Sequence, residues 1–265
     1  MQPHLPAETS PRKSAAKAAD THQRFQRLRL LIGDERQRQR LLFVISLLSL
    51  AIVSLMAFLA YEFPTLPFDL ATTNVLQEIT NTPFLGLMVF ISALGYMPWS
   101  AVTVGAGVVV VGVLLGWKDG AYLLLLTVIQ AVANQLIKTA VGRARPLDTL
   151  VNVFVPVAGN SFPSGHVMFY TVFFGFLFFL AWTRLPHSFW RVLLMALTGG
   201  LILLIGPSRM YLGAHWLSDV IAAYLLGFII LAFGIEFYLR SLAPRTPTQQ
   251  AGLVGAHDQA HERGS

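Results

Sequence analysis

From Leu41 to Tyr61 the chain runs 21 residues without one charged side chain. That is about the length of apolar helix a bilayer requires, roughly 20 residues. Comparable runs recur near Trp99–Trp117, Ala121–Ala140, Gly165–Trp182, Trp190–Ile205 and Trp216–Leu239. Only 12% of the chain is charged and 55% is hydrophobic, whereas a soluble domain carries about a quarter of its residues as charges. The expectation is an all-α fold, an integral membrane bundle of six transmembrane helices. Glu62–Pro83 reads as a polar, Pro-interrupted connection. Gly95 and Pro98 limit the apolar piece at 84–96 to a short extra interfacial helix. Residues 1–40 read as a basic cytoplasmic N-terminal segment, 41–240 as one membrane domain and 241–265 as a disordered tail. Cysteine is absent, which removes disulfides, thiolate metal sites and cysteine nucleophiles together.

The net charge of +6 is unevenly placed: nine of the nineteen Lys and Arg lie within the first forty residues. Ahead of a membrane span this is the positive-inside pattern, with a surface-binding basic helix around Arg24–Arg40 as a secondary reading; no nucleic-acid partner is expected. Lys118, Arg184, Arg191 and Arg240 fall at ends related to the N-terminal segment by an even number of crossings, so these ends and both termini are expected to be cytoplasmic. The loops at 141–163 and 207–215 then open on the other side, for a bacterial source the outer side of the inner membrane. They hold Arg143, Arg145 and Arg209 against the charge bias. Gly105, Gly107, Gly112, Gly199 and Gly200 within the spans read as close helix packing.

Three clusters project to that same side. Lys138 ends the third span, with Arg145 and Pro146 following in the stretch KTAVGRARP. PSGH, Pro163 to His166, opens the fourth span: Ser164 is a candidate N-cap, Gly165 permits close backbone approach, and free amides at a helix start form an anion site. His166 would sit beside that anion, where it can serve as a general acid. Ser208 and Arg209 precede His215 and Asp219, which are four apart and share one face on a helix. A carboxylate on one ring nitrogen leaves the other bare, giving a nucleophile and its orienter; taken alone, the same pair also reads as helix stabilisation at an interface. Lys138, Arg145 and Arg209 repel one another unless a multivalent anion joins them, and phosphate matches the Arg forks.

The order K-x6-RP, PSGH, SR-x5-H-x3-D resembles the three-part pattern of the type-2 phosphatidic acid phosphatase superfamily, with every motif position present. The resemblance implies a lipid phosphatase acting through a phosphohistidine, with no metal and no other cofactor. Carried over, His215 attacks phosphorus, Asp219 orients it and His166 protonates the leaving oxygen. Lys138, Arg145, Ser164, Gly165 and Arg209 hold the phosphate. The sequence itself contains no D-x-D pair and no metal-ligand cluster. A site where spans leave the lipid suits an amphiphilic substrate, a phospholipid or polyprenyl phosphate or diphosphate. Arg143, Asp148, Asn160, Phe162 and Trp216 are candidates for leaving-group contacts. The alternatives are a lipid-phosphate phosphotransferase, a non-catalytic lipid-phosphate binding or transport protein, and vanadate-dependent haloperoxidation. The sequence leaves the oligomeric state open.

Overall fold

The structure is a computed structural model and describes residues 35–242. All regular structure among them is helical: α1 (Glu35–Glu62), α2 (Pro67–Gln77), α3 (Thr82–Ala93), α4 (Trp99–Leu114), α5 (Trp117–Val141), α6 (Gly165–Arg184), α7 (Phe189–Tyr211) and α8 (Leu217–Ser241). Most of the basic segment expected over 1–40 and nearly all of the tail expected over 241–265 lie outside the described residues. The described chain falls into two compact units, one ending at Leu231 and one beginning at Ala232. In the second, Arg240 pairs with Glu236 at 3.0 Å.

Five of the helices, α1, α5, α6, α7 and α8, are long and apolar enough to cross a bilayer, and the chain is an integral membrane protein. The run expected to span at Trp99–Trp117 is instead the 16-residue α4. At 1.5 Å per residue it covers about 24 Å, short of a hydrocarbon core of about 30 Å. Helix geometry fails at Gly116, which has a φ of 138°, and α5 begins at Trp117, ahead of the expected Ala121. A second difference lies in Glu62–Pro83, read above as connection only. It contains α2, whose start carries Pro67 in the first turn and Asp69 behind it, a start signal independent of hydrophobicity. Two short helices therefore precede α4 where one was expected. The second of them, α3, is capped by Asn81, whose side chain accepts from the Phe84 amide at 2.8 Å.

The core is built around α6. Residues 167–176 are buried without interruption, the signature of a helix covered on all sides, and α5 and α7 pack against it. Contacts at both ends show that α5 and α6 run antiparallel: Arg184 pairs with Asp119 at 3.2 Å, while Asn134 donates to the Pro163 carbonyl at 3.2 Å. By contrast α1 exposes Phe43, Leu47, Leu48, Leu55 and Phe58, a surface suited to lipid. It packs Val53 and Ala60 with Phe162 and Ala222.

α7 was expected to stop near Ile205, with Pro207 opening a loop. It continues to Tyr211 with Pro207 inside it. Proline removes a helical N–H and crowds the preceding turn, yet the opened ladder is bridged from α8. The Tyr224 hydroxyl accepts from the Gly206 amide at 3.1 Å and donates to the Ile202 carbonyl at 2.5 Å, the two groups an unbroken helix would have joined directly. Only glycine allows this approach, since a Cβ at Gly206 would lie 2.9 Å from the Tyr224 hydroxyl. The repaired last turn of α7 presents Ser208 and Arg209.

Candidate active site

The ends of α5 and α7 and the starts of α6 and α8 meet at one place. α5 terminates at Gly142, whose φ of 66° puts it in the left-handed region that closes many helices. The turn sends the next two arginines to different partners. Arg145 donates through Nε to the Gly159 carbonyl at 3.0 Å and through Nη1 to the Ala214 carbonyl at 2.8 Å. The same Nη1 lies 3.1 Å from His215 Nε2. Lys138, one turn before the cap, donates to the carbonyls of Asn160 and Ser161 at 2.8 and 3.2 Å. Asn160 returns a bond to the Lys138 carbonyl, so this candidate leaving-group contact instead ties its loop to α5.

Ser164 occupies the N-cap position of α6, as expected, but its side chain makes no cap bond. Its Oγ is among five buried side-chain atoms without a partner among the described residues. The others are His166 Nε2, Arg209 Nε and Nη2, and Trp216 Nε1. Gly165 is the first residue of α6, and a Cβ there would approach Asn134 Oδ1 to 3.0 Å. Arg209, wholly buried, is held through Nη1 by Ser92 Oγ at 2.5 Å and by the Tyr96 hydroxyl. Ser208 looks away from the site and donates to the Met88 carbonyl at 2.7 Å, binding α7 to α3.

His215 was expected to share a helical face with Asp219; it lies ahead of α8, in the turn that follows α7. Its Nδ1 is 3.5 Å from Asp219 Oδ2, longer than a good hydrogen bond, and Ser161 bridges the difference. Ser161 Oγ lies 3.4 Å from Nδ1 and donates to Asp219 Oδ2. Because a guanidinium can only donate, Arg145 assigns Nε2 as the acceptor nitrogen and leaves the hydrogen on Nδ1. The amide of Trp216 donates to the same Asp219 oxygen at 2.9 Å.

Behind Asp219 stands a charge network that the sequence reading missed. Arg143 bonds Asp219 Oδ1 at 2.6 Å and Asp69 Oδ2 at 2.7 Å, all three side chains fully buried. Ser218 ties in through its amide and hydroxyl to Asp69, both at 2.8 Å, and Arg143 donates to Ser218 Oγ at 2.7 Å. Arg143 is thus directed at the carboxylates, away from the leaving-group role considered for it. Phe162 is core, packed with Val53 and Ala60 of α1. Trp216 is buried 6.0 Å from the Arg143 guanidinium, and Asp148 lies on a separate polar cleft with Asn74, Gln77 and Glu78. Asp69 stands in the first turn of α2, in a segment the sequence reading took as connection only, and nothing in its spacing links it to Arg143 or Asp219. Ser161 stands two residues before the PSGH motif, where its spacing alone carried no signal.

Burial is the main force on His215 and holds it well below the ordinary imidazole value. Arg209, Arg145 and Lys138 push the same way, and a bond to the Ser161 backbone opposes them. The ring is neutral at pH 7, with a lone pair on the nitrogen assigned above. Arg145 is likewise lowered by burial and then by Arg209, against the pull of Asp219 and Tyr96. Of the three cations, Arg145 touches the ring directly, at 3.1 Å from Nε2. Among the described residues, no three His, Asp or Glu side chains converge at metal-ligating distance.

Among the described residues this helical membrane protein gathers two arginines, a lysine, two histidines and a helix start at one buried point, a set of donors and cations whose chemistry suits an oxyanion. Residues 119–242 match the PAP2 superfamily. Over 127 residues the chain is 37% identical to a lipid A 1-phosphatase of Rhizobium johnstonii, covering 45% of each chain. Over 116 residues it is 29% identical to phosphatidylglycerophosphatase B of Bacillus subtilis, covering 42% of this chain and 54% of the other. The chain thus spans about half the length of the curated relatives it matches. Two crystal structures share the fold. The transmembrane PAP2 type phosphatidylglycerolphosphate phosphatase from Bacillus subtilis aligns with a TM-score of 0.61 at 23% identity, over 72% of this chain and 96% of its own. Aquifex aeolicus LpxE aligns at 0.55 and 19%, over 66% and 98%.

Proposed function

We propose that the chain is a membrane lipid phosphatase that hydrolyses a phosphate monoester or diphosphate of a phospholipid or polyprenyl lipid, through a phosphohistidine at His215 and without a metal ion. One observation carries this reading. Ser164, His166 and Arg209 bury polar atoms with no partner, an arrangement that is costly unless an acceptor arrives to bind them, and they lie beside a neutral imidazole. In the forward step His215 Nε2 forms a bond to phosphorus as the bond from phosphorus to the lipid oxygen breaks. His166 gives its proton to that oxygen. Lys138, Arg145, Arg209, Ser164 and the Gly165 amide take the non-bridging oxygens, whose charge spreads in the transition state. Water then displaces His215 and gives a proton to His166.

The relatives named as phosphatases of lipid A and of phosphatidylglycerophosphate support a phosphate carried on a lipid. A lining of cations supports catalysis without a further positive ion. In this reading residues 41–240 form the phosphatase domain, with α3 at the interface. Both termini are cytoplasmic and the site opens on the opposite face, as the distribution of Lys and Arg favours.

The test uses the purified full chain with chelator present, against a panel of labelled lipid phosphates and diphosphates. Phosphate release should persist, and rapid quenching should trap label on the protein. His215→Ala should abolish both while still binding phosphate. Wild-type turnover by His215→Ala would refute the nucleophile, and loss of release with chelator would refute the metal-free reaction.

A further inference from the structure

The residues that grip Arg209 from the other side belong to none of the three motifs. They come from the end of α3 and the turn after it, ahead of the matched segment at 119–242. Ser92 and Tyr96 both accept from Arg209 Nη1. The guanidinium carbon stands 5.0 Å from the centre of the Tyr96 ring. That ring also meets the His166 imidazole edge to face, with centroids 4.4 Å apart. Between the two contacts, the Gly95 backbone comes so close to the imidazole that a Cβ would overlap it, lying 2.8 Å from Nε2. The turn therefore forms a wall of the site, against both the group assigned to the leaving oxygen and a group assigned to the non-bridging oxygens.

The hydrogen bonds of Tyr96 are incomplete in an informative way. A phenol is both a donor and an acceptor. Its oxygen accepts from Arg209, which has no acceptor to offer in return, and no described residue accepts the phenolic hydrogen. On the same guanidinium Nε and Nη2 lack partners, and so does His166 Nε2 on the neighbouring ring. The Tyr96 hydroxyl and Arg209 Nε and Nη2 are thus neighbouring donors with no acceptor among the described residues, and His166 Nε2 beside them has no partner either.

We infer that Tyr96 is a substrate-contacting residue, whose hydroxyl donates to a non-bridging phosphoryl oxygen beside Arg209 and closes the side of the phosphate cradle that the three motifs leave open. The inference rests on the phosphatase reading for its substrate, but its test does not need turnover. Binding of inorganic phosphate and of vanadate to the full-length protein is measured by calorimetry, with rates on a lipid phosphate alongside. Tyr96→Phe keeps both ring contacts and removes only the hydroxyl. It should weaken both anions about 10- to 100-fold, the loss of one hydrogen bond to a charged partner, and lower kcat/KM by a similar factor. Affinity within twofold of wild type would overturn the inference.

A second substitution separates donation to the anion from mere support of Arg209. Incorporating 3-fluorotyrosine at position 96 makes the hydroxyl a better donor and a poorer acceptor. Anion affinity should then hold or rise, measured at a pH where the phenol stays protonated. A fall would show that Tyr96 acts by accepting from Arg209, and would overturn the assignment even if Tyr96→Phe failed to fold. If anions bind in a Tyr96-dependent way but no lipid phosphate is hydrolysed, the phosphatase reading fails and this one stands. Hydrolysis that ignores the hydroxyl gives the reverse.

Discussion

Removing Arg143 should damage stability more than removing any of the cations that face His215. Its two ion pairs, at 2.7 Å to Asp69 and 2.6 Å to Asp219, are fully buried. Arg143→Met preserves much of the volume but strands two carboxylates together. Each keeps some partners: Asp69 retains the Ser218 amide and hydroxyl, and Asp219 retains Ser161 and the Trp216 amide. Those bonds solvate the carboxylates without cancelling their charge. Deleting one partner of a buried pair costs about 3–5 kcal/mol, and with two carboxylates exposed to each other we expect the upper part of that range. Reversible unfolding in mixed micelles, followed by far-UV circular dichroism, reads the difference. The decisive comparison is Asp69→Asn with Arg143→Met. Neutralising Asp69 removes one stranded charge, so the double variant should be more stable than Arg143→Met alone. A loss below about 1 kcal/mol for Arg143→Met, or a double variant as unstable as the sum of the two single changes, would refute the network as the reason for the cost.

Three further outcomes follow from the geometry. Ser161→Ala breaks the link between His215 Nδ1 and Asp219 and should lower kcat about tenfold at nearly constant KM, by the loss of about one hydrogen bond; unchanged single-turnover rates would count against the link. Tyr224→Phe leaves the Gly206 amide and the Ile202 carbonyl without their bridge and should destabilise the protein by about 1–3 kcal/mol, with faster hydrogen exchange confined to α7 around Pro207. His215 is depressed in the folded protein from an ordinary value of 6.5, so the unfolded chain binds more protons. Stability should therefore be highest above pH 6.5 and fall as the pH drops below it. His215→Asn should flatten that decline, and an unaltered pH slope would show that another group is responsible.

The apolar runs made most of the helices legible, because a backbone in hydrocarbon has few choices and its side chains must be apolar over a bilayer's thickness. The helix boundaries were less legible where other physics decided them. Pro207 reads as a stop in one dimension, and only the Tyr224 hydroxyl, 17 residues later in sequence, explains why α7 passes through it. Nor could hydrophobicity announce α2, whose buried polar residues Asp69, Thr73 and Gln77 carry its packing.

By itself the sequence determined a helical membrane protein and singled out Lys138, Arg145, Ser164, His166, Arg209 and His215 as its candidate chemistry. Isolated charges beside apolar spans are too costly to be incidental, and their types and spacing name an anion. Tertiary structure alone decided who supports them: Ser161 between His215 and Asp219, Asp69 and Arg143 behind Asp219, Ser92 and Tyr96 on Arg209. These partners are neutral, or are charges cancelled by distant residues, so they leave no local pattern. A buried charge must find its complement wherever the fold brings one within reach, and sequence spacing does not measure that distance.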